Sequence, residues 1–414
     1  MQATQALYDF SPALRLMLLG AVIALAPLAW VWLRNRQASL PQRLRALTLL
    51  TLFLTFDLVL FGAFTRLTDS GLGCPDWPGC YASASPLGAK TQISAEQAAM
   101  PSGPVTHQKA WIEMTHRYAA SAVGVLILVL AAMSWVRRDA LRRLSISAWV
   151  ATLTLVWVCL QGAFGALTVT MKLFPAIVTL HLLGGMVLLA LLQAQATRYR
   201  AIGGLGADDA GFSLSHGTRN WLVAGFALLW LQIALGGWVS TNYAVLACSE
   251  FPTCQSQWLP AMNLREGFEI WRELGLTRAG HAVSLPALTA IHVVHRMFAF
   301  VVFGVLGAAA WKLWRSGQQH NCAARHAAWW IVVLLLWQLV TGLSNVVLGW
   351  PMLAAVSHTG GAAALVIVLT GILCAARGHH SSMALYERSG VATSTMHSMG
   401  YSDSVVSNLG KGIR

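Results

Sequence analysis

The chain has 414 residues, of which 56% are hydrophobic and only 10% are charged. A soluble globule of this size needs more polar surface, so the composition excludes an ordinary soluble protein and places the chain in a bilayer. Lys and Arg outnumber Asp and Glu by 28 to 15. The basic residues stand in short clusters between apolar runs, however, so no nucleic-acid partner is expected.

Apolar runs long enough to cross about 30 Å of hydrocarbon as α-helices occur along the whole chain. In order they cover about residues 13–33, 47–66, 112–135, 146–168, 176–196, 220–239, 289–314, 327–349 and 352–376. The sequence therefore predicts an all-α polytopic membrane protein. The first run could also be a signal peptide, but it has no small-residue cleavage site, and Trp30 and Trp32 are typical of a helix end at the interface.

The segments between the runs differ in charge. The positive-inside rule places in the cytoplasm those that carry Arg34, Arg36, Arg43, Arg45, Arg137, Arg138, Arg142, Arg143, Arg198, Arg200, Arg219, Lys312, Arg315, Arg325 and Arg377. The longer loops, about 67–111 and 240–288, are rich in Pro, Gly and Trp and are predicted to face outward. We therefore expect a multi-pass protein of a bacterial-type inner (plasma) membrane, with the N-terminus outside and the C-terminus in the cytoplasm.

Two halves of the chain repeat each other in sequence. The matched positions are Gly62, Cys74 and Cys80 with Gly236, Cys248 and Cys254; Glu113, His116 and Arg117 with His292, His295 and Arg296; and Gln161, Gly165 and His181 with Gln338, Gly342 and His358. The offsets are 174, 179 and 177 in turn. Both halves start in the same direction, so they are parallel repeats related by an axis near the membrane normal.

This pattern predicts two tandem, pseudo-symmetric four-helix bundles plus one extra N-terminal transmembrane helix. The expected divisions are 1–46 (the extra helix and a cytoplasmic loop), 47–200 (the N-terminal half), 201–219 (a cytoplasmic linker), 220–377 (the C-terminal half) and 378–414 (a polar cytoplasmic tail). The tail is rich in Ser and Gly, and we expect it to be mobile.

The repeated histidines are the candidate functional residues. His116 and His295 stand near the starts of their predicted helices, and His181 and His358 about one turn inside theirs, so all four share one depth near the outer face. Ionisable residues within spans are costly and usually have a partner or cofactor. Because two neutral imidazoles on facing helices can ligate one heme iron, the sequence predicts one heme per half.

Other interpretations compete for these histidines. A single membrane histidine can simply be a helix-packing residue, but four in duplicated positions argue against this. Zinc prefers tetrahedral clusters of His, Cys and carboxylate, whereas these histidines form two pairs without a thiol inside the membrane. Arg117 and Arg296, each next to a histidine, are candidate partners of heme propionates.

Cysteine pairs recur in the loops that are predicted to face an oxidising compartment. Cys74 with Cys80, and Cys248 with Cys254, can each close a small loop as a disulfide, although the spacing alone does not prove the bond. A structural role and a redox role both stay open, because short exposed disulfides tend to be labile.

The halves differ at one chemically important position. The first has Glu113 where the second has His292. A carboxylate three residues before a ligand lies on the same helical face, where it could act as acid or base or stabilise a developing cation. The alternative is an ion pair with Arg117. We therefore predict the reactive site in the first half and a retained, electron-carrying heme in the second.

Over about residues 47–376 the chain resembles the heme A synthase family. The motifs that carry the resemblance are Gly62-x3-Arg66-Leu-Thr-x-Ser-Gly with the cysteine loop, Glu113-x2-His116-Arg117, His181-x2-Gly-Gly, and the duplicated His295-Arg296 and His358. The resemblance implies an oxidoreductase that converts heme O to heme A, by oxidising a ring methyl to a formyl group, for use by cytochrome oxidase.

The resemblance also implies roles for single residues. His116 and His181 would ligate the substrate heme, heme O and then heme A, while His295 and His358 would ligate a resident heme b. Glu113 would be the catalytic carboxylate, and the cysteine pairs would be loop disulfides. The implied partners are heme O and membrane lipid, and further candidates are heme O synthase, an electron donor and a second copy of the chain.

Some features depart from the family pattern or leave room for other functions. The helix at 13–33 precedes the usual eight-helix unit, and His292 adds a candidate ligand beside His295. The main alternative is a diheme b-type membrane electron carrier, similar to quinol oxidoreductases, which would need neither Glu113 nor the cysteine loops. A transporter would show broken helices and a midplane site instead.

Overall fold

The computed structural model describes residues 11–202, 214–317 and 322–390. These residues form α-helices and one 3-10 helix (Ala244–Ala247), with no β-strand among them. In chain order the helices are α1 (Ser11–Arg34), α2 (Leu40–Leu67), α3 (Lys90–Ala99), α4 (His107–Val136), α5 (Arg138–Arg143), α6 (Trp149–Thr170), α7 (Pro175–Ile202), α8 (His216–Thr241), α9 (Leu264–Gly267), α10 (Leu285–Ser316), α11 (Cys322–Val347) and α12 (Met352–Gly390).

Within the described ranges, nine helices are long and apolar enough to cross a membrane. They are α1, α2, α4, α6, α7, α8, α10, α11 and the Met352–Ala376 part of α12. Each overlaps one of the apolar runs found in the sequence. The prediction of an all-α polytopic membrane protein is confirmed.

Several spanning helices begin earlier than their apolar runs, and polar side chains cap α4, α8 and α10. Helix α4 starts after Thr106, whose hydroxyl accepts a hydrogen bond of 3.2 Å from a backbone N–H in the first turn. Helix α10 starts after Ser284, whose hydroxyl does the same at 3.4 Å. Such caps satisfy N–H groups that the helix leaves without partners, and hydropathy alone does not reveal them.

The predicted linker and tail fall partly outside the described residues. Residues 1–10, 203–213 and 391–414 are not described, and the mobility of the tail stays a prediction. The described part of the tail is its start. There, α12 continues as a helix to Gly390, beyond the end of the apolar run near 376. The division of the chain into domains stays a prediction.

The spanning helices contact one another in two rings. In the first, α2 contacts α4, α4 contacts α6, α6 contacts α7, and α7 returns to α2. In the second, α8 contacts α10, α10 contacts α11, α11 contacts α12, and α12 returns to α8. Helices α7 and α2 meet α12, and α7 also meets α8, which joins the two rings. These are the contacts expected of two four-helix bundles lying side by side.

Helix α1 lies outside both rings and packs mainly on α4. Gly20 approaches Ser121 so closely that a Cβ at Gly20 would lie 2.6 Å from the Ser121 Cβ. Small residues allow such close packing of membrane helices, where apolar burial alone gives little driving force. Leu16 on the same helix is buried against the first cysteine loop.

Both disulfide loops lie at one end of the bundle, which we call the disulfide end. The first loop, 68–106, connects α2 to α4, and the second, 242–284, connects α8 to α10. The main apolar core lies farther from this end, around Leu126, Leu189 and Leu306. Because this core closes the bundle on the far side, open space between the helices remains nearer the disulfide end.

Candidate active site

A cavity of about 1640 Å³ lies between the helices and is lined by residues of both halves. It is mostly apolar, and its lining includes all four predicted ligands, His116, His181, His295 and His358. They come from α4, α7, α10 and α12 respectively. The structure therefore brings the repeated histidines to one cavity.

The histidines lie inside their helices rather than at the helix starts. His116 is nine residues beyond the first residue of α4 and His295 ten beyond that of α10, or about 14–15 Å at the α-helical rise. His181 and His358 are each six residues beyond their helix starts, or about 9 Å. The expectation that His116 and His295 begin their helices is wrong, because both helices extend well beyond their apolar runs.

Polar side chains hold the histidines of the second half. The side-chain amide nitrogen of Gln232 lies 3.1 Å from Nδ1 of His295. The Thr341 hydroxyl lies 2.9 Å from Nδ1 of His358 and donates to the carbonyl of Trp337 at 2.7 Å. Since its proton is used there, Thr341 accepts from Nδ1, which leaves Nε2 of His358 for a metal ion.

The first half lacks polar side chains at the equivalent positions, and the His116 ring is hydrogen-bonded to the backbone of Leu58. Applying the repeat offsets to Gln232 and Thr341 gives Leu58 and Phe164. The His116 ring stacks on Phe61 with 6.1 Å between ring centroids. Among the described residues, the buried Nδ1 of His181 has no hydrogen-bond partner. Sequence reasoning missed this difference, although extending the offsets to neighbouring residues would have revealed it.

Glu113 lines the cavity and is only 4% exposed. One carboxylate oxygen accepts a hydrogen bond of 2.8 Å from the backbone N–H of Cys74. The other forms an ion pair with Arg117. The structure thus contains the ion pair that was the alternative interpretation of Glu113, and it also shows that this carboxylate fixes the first disulfide loop.

The two predicted propionate partners also hold loop backbone. Arg117 donates to the carbonyls of Asp76 at 2.9 Å and Pro78 at 3.3 Å. Arg296 donates to the carbonyls of Cys248 and Glu250, each at 3.0 Å. Both arginines line the cavity as well. Contact of Arg117 and Arg296 with heme propionates stays a prediction.

His292, the counterpart of Glu113, is 3% exposed and also lines the cavity. Its Nε2 accepts a hydrogen bond of 3.2 Å from Nε of Arg296. The second half thus keeps the link between helix and loop but replaces a buried carboxylate with an imidazole. Because Nε2 is used by Arg296, His295 remains the better ligand candidate of the two.

Both predicted disulfides are present. The S–S distances are 2.07 Å for Cys74–Cys80 and 2.00 Å for Cys248–Cys254. In each loop a carboxylate supports the turn: Asp76 accepts from two backbone N–H groups, and Glu250 accepts from one. The disulfide prediction is confirmed, and each bond lies directly beside the arginine that holds its loop.

Residues at equivalent positions of the repeat meet between the halves. Arg66 donates to the carbonyl of Ser240 and to the hydroxyl of Tyr243, both at 2.8 Å. Asp69 accepts from Arg66 at 3.1 Å and from the Tyr243 hydroxyl. Burial is the main cause that raises the pKa of the Tyr243 hydroxyl above its ordinary value. Ser240 and Tyr243 are the counterparts of Arg66 and Asp69, so the pseudo-symmetry axis passes here.

The residues of the cavity fit a heme in each half. In each half, two different helices of the same bundle each contribute one imidazole, and the nitrogen of a neutral imidazole is a suitable ligand for iron. The buried Nδ1 of His181, which has no hydrogen-bond partner among the described residues, is the kind of polar atom that a bound group would use. Each of the four rings also lies against a glycine, where no side chain fills the space.

Comparisons with known proteins agree with this geometry. The sequence model of the COX15-CtaA family, described as cytochrome oxidase assembly protein, matches residues 45–370. The chain is 36% identical over 323 residues to heme A synthase of Shewanella oneidensis, covering 78% of this chain and 93% of that protein. It is 25% identical over 314 residues to heme A synthase of Halalkalibacterium halodurans, covering 76% and 89%, and 25% identical over 364 residues to that of Allorhizobium ampelinum, covering 85% and 94%. The chain therefore belongs to the COX15-CtaA family of cytochrome oxidase assembly proteins.

Proposed function

We propose that this protein is a heme A synthase, an oxidoreductase that converts a ring methyl group of heme O into the formyl group of heme A. The observation that carries the proposal is the asymmetry of the cavity. A buried carboxylate, Glu113, lines it three residues before His116, and the other half has His292 there. Curated relatives that cover most of the chain are named heme A synthase, which favours the synthase over a diheme electron carrier.

The proposed ligands divide between the halves. His116 and His181 bind the iron of the substrate heme, and His295 and His358 bind a resident heme b that passes electrons. The polar partners of the second pair support this division. Hydrogen bonds to metal-binding histidines fix ring orientation and strengthen binding, as a permanently bound heme requires. A substrate must enter and leave, and the lack of such side-chain partners at the equivalent positions of the first pair suits that need.

Glu113 acts on the reacting methyl group as a fixed negative charge or as a proton acceptor. The hydrogen bond from Cys74 and the ion pair with Arg117 hold the carboxylate in place before the reaction. A preorganised charge in an apolar cavity stabilises developing positive charge more strongly than the same charge in water. The heme, when bound, supplies the redox chemistry that the side chains lack.

We further propose that the disulfide end faces outward, with the N-terminus outside and the C-terminus in the cytoplasm of a bacterial-type cell. The arginine clusters that support this orientation lie at the opposite end of the bundle, as with Arg137 and Arg142 beside α5. Heme O is the proposed substrate, and membrane lipid is the environment from which it is drawn. Heme O synthase, an electron donor and a second copy are the proposed protein partners.

The Glu113→Gln variant tests the proposal. Glutamine keeps an acceptor for the Cys74 N–H but removes the charge. We expect the purified variant to retain both hemes and to accumulate heme O or an alcohol intermediate, as identified by reversed-phase chromatography with mass detection. His292→Gln is the matched control in the second half and is expected to keep forming heme A. Normal heme A formation by Glu113→Gln would contradict the catalytic role.

A further inference from the structure

Each of the four histidine rings lies against a glycine on the neighbouring helix. The pairs are Gly62 with His116, Gly165 with His181, Gly236 with His295, and Gly342 with His358. A Cβ at these glycines would come within 3.1, 3.5, 3.0 and 3.1 Å of a ring atom, in the same order. In every pair the nearest neighbour of the missing side chain is the imidazole ring and not helix backbone.

The four glycines share one place in the fold. Each stands five residues before the end of its helix, α2, α6, α8 or α11, and thus about 8 Å from the disulfide end of that helix. The same contact therefore forms four times at the same depth. Glycine inside a helix costs about 0.5–1 kcal/mol relative to alanine, so four such positions need a reason other than helix stability.

Other glycines on the helices of these pairs show that the contact is specific. Gly217 lies on α8, which also carries Gly236, and Gly304 lies on α10, which carries His295. Neither belongs to the lining of the cavity, and within the described part of the chain nothing is within 4 Å of a Cβ built at either position. Substitution of these two by alanine would fill open space, so they are matched controls.

We propose that Gly62, Gly165, Gly236 and Gly342 are positioning residues for the heme ligands. Their missing side chains leave the space in which the imidazole rings lie, so the backbone of one helix sets the orientation of a ring carried by the next. This inference rests on the proposed bis-histidine heme sites. It adds a second group of residues, on four further helices, on which heme binding depends.

The Gly62–His116 pair is expected to be the most sensitive to substitution of its glycine. At Gly62 the nearest ring atom to an added Cβ is Nε2 of His116, at 3.1 Å. At Gly165, Gly236 and Gly342 the nearest atom is the ring carbon Cε1. A methyl group at Gly62 therefore stands directly against a nitrogen that could bind iron. At Gly236 and Gly342 it presses on the edge of the ring and tilts it, whereas at Gly165 the distance of 3.5 Å is an ordinary van der Waals contact and the smallest effect is expected.

The test compares single alanine variants of the full-length protein in detergent. Gly342→Ala and Gly62→Ala are compared with Gly217→Ala and Gly304→Ala by electron paramagnetic resonance of the ferric low-spin hemes and by heme content. We expect Gly342→Ala to change the signal of heme b alone, and Gly62→Ala that of the other heme alone. Each is expected to weaken retention of its heme about tenfold, the lower range for residues that orient metal ligands. The two controls should match wild type.

A double variant keeps the test decisive if a single variant folds poorly. If the methyl group at position 342 clashes with the ring, Gly342→Ala should destabilise the protein next to His358 but not in a His358→Ala background. Equal destabilisation in both backgrounds, or spectra of Gly62→Ala and Gly342→Ala that match wild type, would overturn the inference. Wild-type protein without any heme would instead overturn the proposed function.

Discussion

The two halves of the cavity hold their histidines in different ways. In the second half, Gln232 and Thr341 lie within hydrogen-bond distance of the two imidazole rings. In the first half, the side chains at the repeat-equivalent positions, Leu58 and Phe164, can form no such bond, and the backbone of Leu58 is hydrogen-bonded to His116 instead. The same four-helix scaffold thus places polar side chains against two histidines in one half and none at the equivalent positions of the other.

The difference is the one that the proposed function needs from two heme sites with different tasks. A cofactor that stays benefits from every group that orients its ligands, whereas a substrate must be released after reaction. Glu113 stands in the half without these polar side chains, and His292 in the other. The carboxylate therefore occurs in the same half as the histidines that are proposed to bind the substrate.

The largest expected effect is a difference in stability between variants of Arg117 and Arg296, the arginines that hold the two disulfide loops. Arg117→Leu leaves Glu113 charged and buried without its ion-pair partner, which typically costs about 3–5 kcal/mol of stability. Arg296→Leu strands no carboxylate, because its partner is His292, and should cost less, about 1–3 kcal/mol. Denaturant titrations of both variants measure the difference, and the Glu113→Gln/Arg117→Leu double variant should recover part of the loss. Equal losses of stability in Arg117→Leu and Arg296→Leu would contradict this difference between the halves.

The disulfides are expected to differ in their effect on the reaction. Replacing Cys74 and Cys80 by serine frees the backbone N–H that holds Glu113, and losing a hydrogen bond to a charged group is worth about 1.5–3 kcal/mol, or roughly 10–100-fold in rate. Replacing Cys248 and Cys254 touches no carboxylate of the cavity and should slow heme A formation far less. Product analysis of the two double-serine variants measures this. A reversed order would contradict the role of the Cys74 contact.

The rate at which each half loses its heme is expected to depend on these polar side chains. Gln232→Leu and Thr341→Val give the second half apolar side chains at these positions, as in the first, so heme b should dissociate about tenfold more readily. Leu58→Gln is the converse change and should slow the loss of the other heme. Transfer of heme to an acceptor protein in excess reports both rates. Unchanged transfer would show that these side chains do not distinguish the sites.

The smallest expected effect concerns the contact between the halves. Tyr243→Phe removes hydrogen bonds to Arg66 and Asp69 but keeps the aromatic ring beneath the guanidinium, 4.1 Å from the Arg66 Cζ. We expect a loss of about 0.5–1.5 kcal/mol in stability with both hemes retained. Denaturant titration and heme content together measure it. Loss of one heme would show instead that this contact supports a single half.

Much of this architecture could be predicted from the sequence. Hydropathy located all nine spanning helices within the described residues, because the requirement for about 20 apolar residues is strict. The repeat, with offsets of 174, 179 and 177, identified the four histidines of the cavity and both disulfides. The extra helix at 13–33 was also predicted, although its packing on α4 was not.

Other features depend on contacts between helices and could not be predicted from spacing. Arg117 and Arg296 stand next to histidines in sequence, but adjacent residues of a helix point in directions about 100° apart. Their guanidinium groups therefore reach loop carbonyls. The glycine–histidine contacts join residues 16–59 positions apart, and only the fold shows which glycine meets which ring.

The most direct test of the account is the heme content of His181→Ala and His358→Ala, purified from cells that make heme O. We predict that His181→Ala keeps heme B and loses heme O and heme A, whereas His358→Ala loses heme B and keeps the substrate heme. Loss of the same heme in both variants, or heme B alone in wild type, would contradict two separate sites with different tasks.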